Sequence, residues 1–163
     1  MKESTQNEPA MKRIIYVLAI ALAFTGCKKD DSPKFPSDVQ EVLNTIVGTW
    51  ESEDTYNAET ITFTAFEAPT EIQSASSDWP AMSFHGTMQR DYRYLGDTWE
   101  HDDYYFQILP SKKVIAAYGI TQSQTYALNQ TKAYDYKIVD ENTIRLHDQQ
   151  LSALNEKVYK RKQ

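Results

Sequence analysis

The chain has 163 residues, a formal net charge of −6 and a pI near 5.1, the size of one domain. An acidic balance argues against nucleic acid as a partner, because phosphate backbones are held by clustered Lys and Arg. A single cysteine excludes a disulfide framework.

The first element in chain order is a leader. Met11 precedes a basic pair (Lys12, Arg13), an apolar run (Ile14 to Phe24) and two small residues (Thr25, Gly26), the three parts of a signal peptide in order. The run falls short of the ~20 apolar residues a spanning helix needs. Residues 1–26 therefore read as a removed signal peptide, with translation starting at Met11. Phe24-Thr25-Gly26-Cys27 resembles the lipobox of bacterial lipoproteins, with Phe24 in place of the usual Leu. That resemblance implies a diacylglycerol on Cys27 and cleavage before it. Acyl chains, at about 0.8 kcal/mol per buried methylene, would then hold the protein on a membrane without spanning it. Loss of Lys2, Lys12, Arg13, Glu3 and Glu8 moves the side-chain balance from −6 to −7.

Residues 27–36 continue as Cys-Lys-Lys-Asp-Asp-Ser-Pro-Lys-Phe-Pro, charged and broken by proline, which suits an extended tether. Lys29-Asp30-Asp31 resembles the lysine-plus-acidic signal that sends some lipoproteins to the outer face of a Gram-negative outer membrane. A linker with no sorting role explains the same residues. Next, Val39, Val42, Leu43 and Ile46 recur on one helix face, with Ser37 as cap and Gln40 at the capping-box position. Gly48 permits the turn out of this helix.

After Gly48, β-branched and aromatic residues alternate with polar ones. Ile61, Phe63 and Ala65 point one way and Thr60, Thr62 and Thr64 the other. Similar alternation marks Tyr104/Phe106/Ile108, Val114/Ala116/Tyr118, Tyr134/Tyr136/Ile138 and Ile144/Leu146, with a hairpin turn across 139–143 and a last strand near 157–161. Residues 67–81 hold two prolines and read as a long polar loop. The fold class predicted is all-β: a single antiparallel barrel, closed, open or flattened toward a sandwich, of about seven or eight strands over residues 37–163, preceded by a short helix.

Gly48-Thr49-Trp50, placed directly after that helix, resembles the Gly-x-Trp motif of the lipocalin-like (calycin) superfamily. Leader, tether, helix, Gly-Thr-Trp and the closing Val158 to Arg161 together look like small lipocalin-like bacterial lipoproteins. The resemblance implies that Trp50 packs at the closed end of a barrel under a basic side chain from the last strand, Arg161 first and Lys160 second. A guanidinium over an indole gains on the order of 0.5–2 kcal/mol.

Catalytic and metal chemistry find little support in the sequence. Glu100-His101-Asp102-Asp103 is the densest polar run, and on a strand only His101 with Asp103, or Glu100 with Asp102, converge. No nucleophile or zinc motif is present, and neither a cofactor, a metal nor an enzymatic activity is expected. Eleven Tyr, six Phe and three Trp fill a core or line a cavity. For the cavity alternative, alternation nominates Phe63, Tyr104, Phe106, Tyr118 and Tyr136 as lining, with Trp79 at the mouth. The leading expectation is a monomeric, lipid-anchored, non-enzymatic binding protein of the outer membrane that takes a small apolar or amphipathic ligand. The alternatives are a filled barrel that meets an envelope protein at its surface and a carbohydrate-binding accessory.

Overall fold

The computed structural model describes residues 34–53, 57–95, 98–151 and 155–163. The leader, Cys27 and the tether up to Pro33 lie outside the described residues. Helix α1 (Ser37–Ile46) buries Val39, Val42, Leu43 and Ile46, the stripe expected from their spacing. The predicted cap does not form: the helix already includes Ser37, Pro36 takes the N-cap place with no side-chain bond, and the Gln40 side chain donates to Asn44 instead. Asp38 supplies the local acceptor, its Oδ1 receiving the Val39 N–H at 3.0 Å.

Eight antiparallel strands follow: β1 (Gly48–Glu53), β2 (Asn57–Ile72), β3 (Met82–Tyr94), β4 (Glu100–Leu109), β5 (Val114–Ile120), β6 (Tyr126–Asp140), β7 (Thr143–Asp148) and β8 (Glu156–Arg161). Each pairs with the next, and β8 returns to β1 through Trp50↔Arg161 and Glu51↔Lys160 to close the barrel. Closure removes the sheet edges that would otherwise expose unpaired backbone groups. Two residues, Glu141 and Asn142, connect β6 to β7, and the Asp140 carboxylate accepts the Asn142 N–H at 2.8 Å.

Inward-facing side chains from all eight strands and the buried face of α1 form one contact cluster, with Trp50, Ile61, Phe63, Met88, Phe106, Ile115 and Ile144 at most 1 % exposed. Phe63 and Phe106 meet edge to face at 5.5 Å across the intervening strand β3. Gly86 makes that crossing feasible: a Cβ there would stand 2.1 Å from the Thr64 carbonyl oxygen and 2.8 Å from Phe106. The helix end of the barrel is thus occupied by the chain's own side chains.

The expected loop over 67–81 is shorter than the sequence suggests. β2 continues to Ile72 and β3 starts at Met82, with a register shift between Ala65 and Thr70. Pro69 sits in that irregular stretch, where a missing N–H breaks no ladder bond. Beyond Gly86 the β2–β3 arm lies against the outer wall of the barrel. Phe84 packs on Tyr105, Tyr118 and Tyr126 at 5.3–5.5 Å between ring centres, and Phe66, Ile72 and Leu128 complete this second cluster. The arm's tip is fixed to β6 by a parallel bridge, Ala75 N–H to Tyr126 C=O at 2.9 Å and Tyr126 N–H to Gln73 C=O at 3.0 Å.

The outer cluster overturns one assignment of faces. Ile115 and Ala117 fill the barrel, whereas Tyr118 faces outward under the arm. Strand β5 is covered on both sides, so its apolar residues run on without a polar face and alternation carries no sign.

Candidate functional site

Three regions concentrate side-chain chemistry: the helix end of the barrel, its opposite mouth, and the outer arm. At the helix end Arg161 Cζ lies 4.2 Å from the centre of the Trp50 ring. Its guanidinium donates to the carbonyls of Glu141 and Val47, both at 2.9 Å, and to that of Thr45. Thr45 and Val47 flank the C-terminus of α1, so one cation satisfies carbonyls the helix leaves unpaired and opposes its dipole. Trp50 Nε1 donates to the Ile46 carbonyl at 2.7 Å. Gly48 has φ +128, and a Cβ there would stand 2.7 Å from the Arg161 guanidinium, so glycine is required twice over. Gly48, Trp50 and Arg161 together lock the helix to the closing seam.

The mouth is built from charges. Glu59 on β2, 3 % exposed, accepts from Arg90 Nε on β3 at 2.5 Å and from Lys157 Nζ on β8 at 2.5 Å. Burial pushes the Glu59 carboxyl upward, but the bonds and charges of Arg90 and Lys157 outweigh it and hold the pKa below the ordinary value. Asp102 lies 3.7 Å from Arg90 and accepts from the Tyr104 hydroxyl at 3.0 Å. Glu59, Arg90, Lys157 and Tyr134 border a cavity of about 30 Å³, room enough for water and too small for an organic ligand. The Tyr134 hydroxyl is buried with no hydrogen-bond partner among the described residues.

On the outer arm Trp79 is 55 % exposed. It borders an open concavity of about 300 Å³ with Tyr126, Leu128, Ser74, Ser76 and Asn129, none of them charged. The platform is tied down by two hydrogen bonds: the Tyr126 hydroxyl donates to the Pro80 carbonyl at 2.6 Å, and Trp79 N–H to the Ser76 carbonyl at 3.3 Å.

The residues nominated for a barrel cavity separate into three groups. Phe63, Tyr104 and Phe106 are core residues in contact with their neighbours, and Tyr136 packs half-buried at the edge of the same cluster near α1. Tyr118 belongs to the outer cluster. Trp79 borders the arm concavity and not the barrel mouth, because the segment that carries it lies over the outer wall. Cys27 lies outside the described residues. Glu59, Arg90 and Lys157 escape a sequence reading because a charged residue on a strand looks solvent-facing. The available signal was that Glu59 and Arg90 keep the parity of their buried neighbours Ile61 and Met88.

His101 meets Asp103 at 3.2 Å, as strand parity predicts, and also Asp91 at 2.7 Å. Glu100 and Asp102 do not converge: Glu100 accepts from Tyr92 at 2.7 Å and Asp102 turns to Arg90. Among the described residues no group of three or more His, Cys, Asp or Glu is placed to hold a metal ion. No described helix is long and apolar enough to cross a membrane. The chain matches no protein-family model, no curated protein and no solved structure.

Proposed function

We propose that the protein is a small lipocalin-like lipoprotein, anchored through a lipid on Cys27 to the outer membrane of a Gram-negative bacterium. It has a filled barrel and binds its partner non-enzymatically on its outer surface. The observation that carries this reading is the exposure of Trp79 over an open concavity, on a barrel whose interior is occupied by its own side chains. A small apolar ligand inside the barrel, favoured by sequence alone, would have to displace Phe63 and Phe106.

The ring of Phe35 meets His85 edge to face at 5.4 Å, so the segment leading into α1 is held against β3, which rises roughly 30 Å from His85 to Tyr94 at the mouth.

Mass analysis of the full chain, purified in detergent and solvent-extracted, tests the reading. The expected result is a diacylglycerol-bearing peptide beginning at Cys27 and no apolar molecule retained at one per chain. A stoichiometric apolar molecule, or an unmodified Cys27 in a chain taken from bacterial membranes, would overturn it.

A further inference from the structure

We infer that the concavity beside Trp79 is a binding site for neutral glycan, with the indole as the stacking face for one sugar ring. The inference rests on the surface-binding reading above and names the class of ligand. Trp79 keeps more than half of its surface exposed while bordering the concavity beside Tyr126 and Leu128. Yet the segment beneath it is fixed at Ala75, Ser76 and Pro80 by hydrogen bonds to its own backbone and to Tyr126. The backbone that carries the indole is thus fixed before a ligand arrives, and little ordering entropy of the segment is lost on contact.

The lining selects among ligands. The indole π-face is electron-rich and attracts the weakly positive C–H face of a pyranose. Around it stand the Ser74 and Ser76 hydroxyls and the Asn129 amide, adaptable partners for sugar hydroxyls. Both serine oxygens already accept a backbone N–H, from Ser76 and Asp78 respectively, which orients them while leaving the hydroxyl hydrogen to donate. No lining residue is charged, although the whole chain carries −6. A polyanion would be repelled by the chain, and a cationic peptide finds no carboxylate in the site. At about 300 Å³ the concavity is at the small end of small-ligand sites.

The test is affinity electrophoresis of the full chain in detergent, in native gels cast without glycan or with dextran, xylan, mannan or a soluble β-glucan. At least one of these neutral polysaccharides is expected to slow the protein. Trp79→Ala should weaken that retardation about tenfold, the scale of one lost stacking contact. Trp79→Phe should restore part of it, Asn129→Ala should weaken it, and Trp99→Ala should leave it unchanged. Equal mobility in every gel overturns the proposal, as does retardation indifferent to Trp79→Ala. Trp79-dependent binding to phosphatidylglycerol vesicles or to an envelope protein, without retardation by glycan, overturns it as well. None of these results touches the filled, lipid-anchored barrel, which the extraction experiment tests separately.

Discussion

The two faces of the barrel wall bury aromatic residues by different means. The inner face is closed by contacts between distant parts of the chain: Arg161 bonds to Thr45 and Val47, and Lys157 bonds to Glu59. The outer face is covered by a neighbouring hairpin, with Phe84 resting on Tyr105, Tyr118 and Tyr126. Inside, charges seal one end and an indole the other, with the core side chains filling the space between. Outside, the arm turns a plain β-wall into a double layer and leaves a concave rim where Trp79 stands. The inner face thus gives stability and the outer face gives a surface, and substitutions should separate the two.

The largest expected effect is at the charged mouth. Glu59→Gln leaves buried Arg90 and half-buried Lys157 without their shared anion, a loss of about 4 kcal/mol in urea unfolding. The whole barrel should lose stability together, because β2, β3 and β8 share the pair of bonds. The pH dependence has a definite sign. Glu59 titrates lower when folded than its ordinary 4.5, so its contribution is complete above that value and is lost as pH falls through the folded pKa. Acid unfolding below about pH 4.5 should therefore be shallower in Glu59→Gln than in the parent.

Phe84→Ala should cost about 3 kcal/mol locally and act differently. It opens a hole between the arm and the outer wall. Hydrogen exchange should then show faster exchange at Ala75 and Tyr126, whose amides join arm to β6, while Ile61, Phe106 and Ile115 keep their protection. Equal loss of protection on both faces would show the two layers to be one cooperative unit.

Arg161→Lys should cost about 2 kcal/mol. An ammonium keeps the charge near the helix C-terminus but cannot donate to three carbonyls and lie flat on Trp50 at once. Its sharpest readout is the emission of Trp50, which should shift to longer wavelength as the helix end loosens. Trp79 and Trp99, already about half exposed, should hold their contribution.

The same division between faces decides what the sequence made legible. The helix stripe, the inward set Ile61/Phe63 and the closing strand were readable because each rests on one periodicity with one covered face, whereas the Trp50 and Arg161 pair was legible only through the resemblance of Gly48-Thr49-Trp50 to a lipocalin motif. The capping role of Ser37 failed because Pro36 already starts the helix, and no spacing rule registers that. The outward turn of Tyr118 and the displacement of Trp79 from the mouth were unreadable for a common reason. Covering the outer face makes both parities of β5 apolar, and the arm that covers it is written as Glu-Ala-Pro-Thr-Glu, a composition that signals a loop. The buried Glu59 and Arg90 had the correct parity, but partners 31 residues apart for that pair and 98 for Glu59 with Lys157 meet only in the closed barrel.

The smallest effect lies on outer wall that carries no apolar cluster, and it sharpens the contrast with the part that does. There β3 and β4 pair polar side chains: His101 touches Asp91 and Asp103, and Gln89 donates to Asp103 at 3.2 Å. The hydrogen bond to Asp91, helped by Asp103, raises the His101 pKa above its ordinary 6.5. A raised folded pKa means that the contribution is complete below 6.5 and is lost as pH rises through the folded value. With His101 half exposed, solvent screens the pair and the effect on stability should be slight. The measurement is an NMR titration of the His101 ring, with a midpoint above that of a model peptide, falling toward it in Asp91→Asn. A midpoint unmoved by that substitution would detach His101 from Asp91. An arm that shifted in the same titration would show that the polar and aromatic parts of the outer wall are coupled, whereas independence is expected because neither His101 nor its carboxylates belong to the cluster under Phe84.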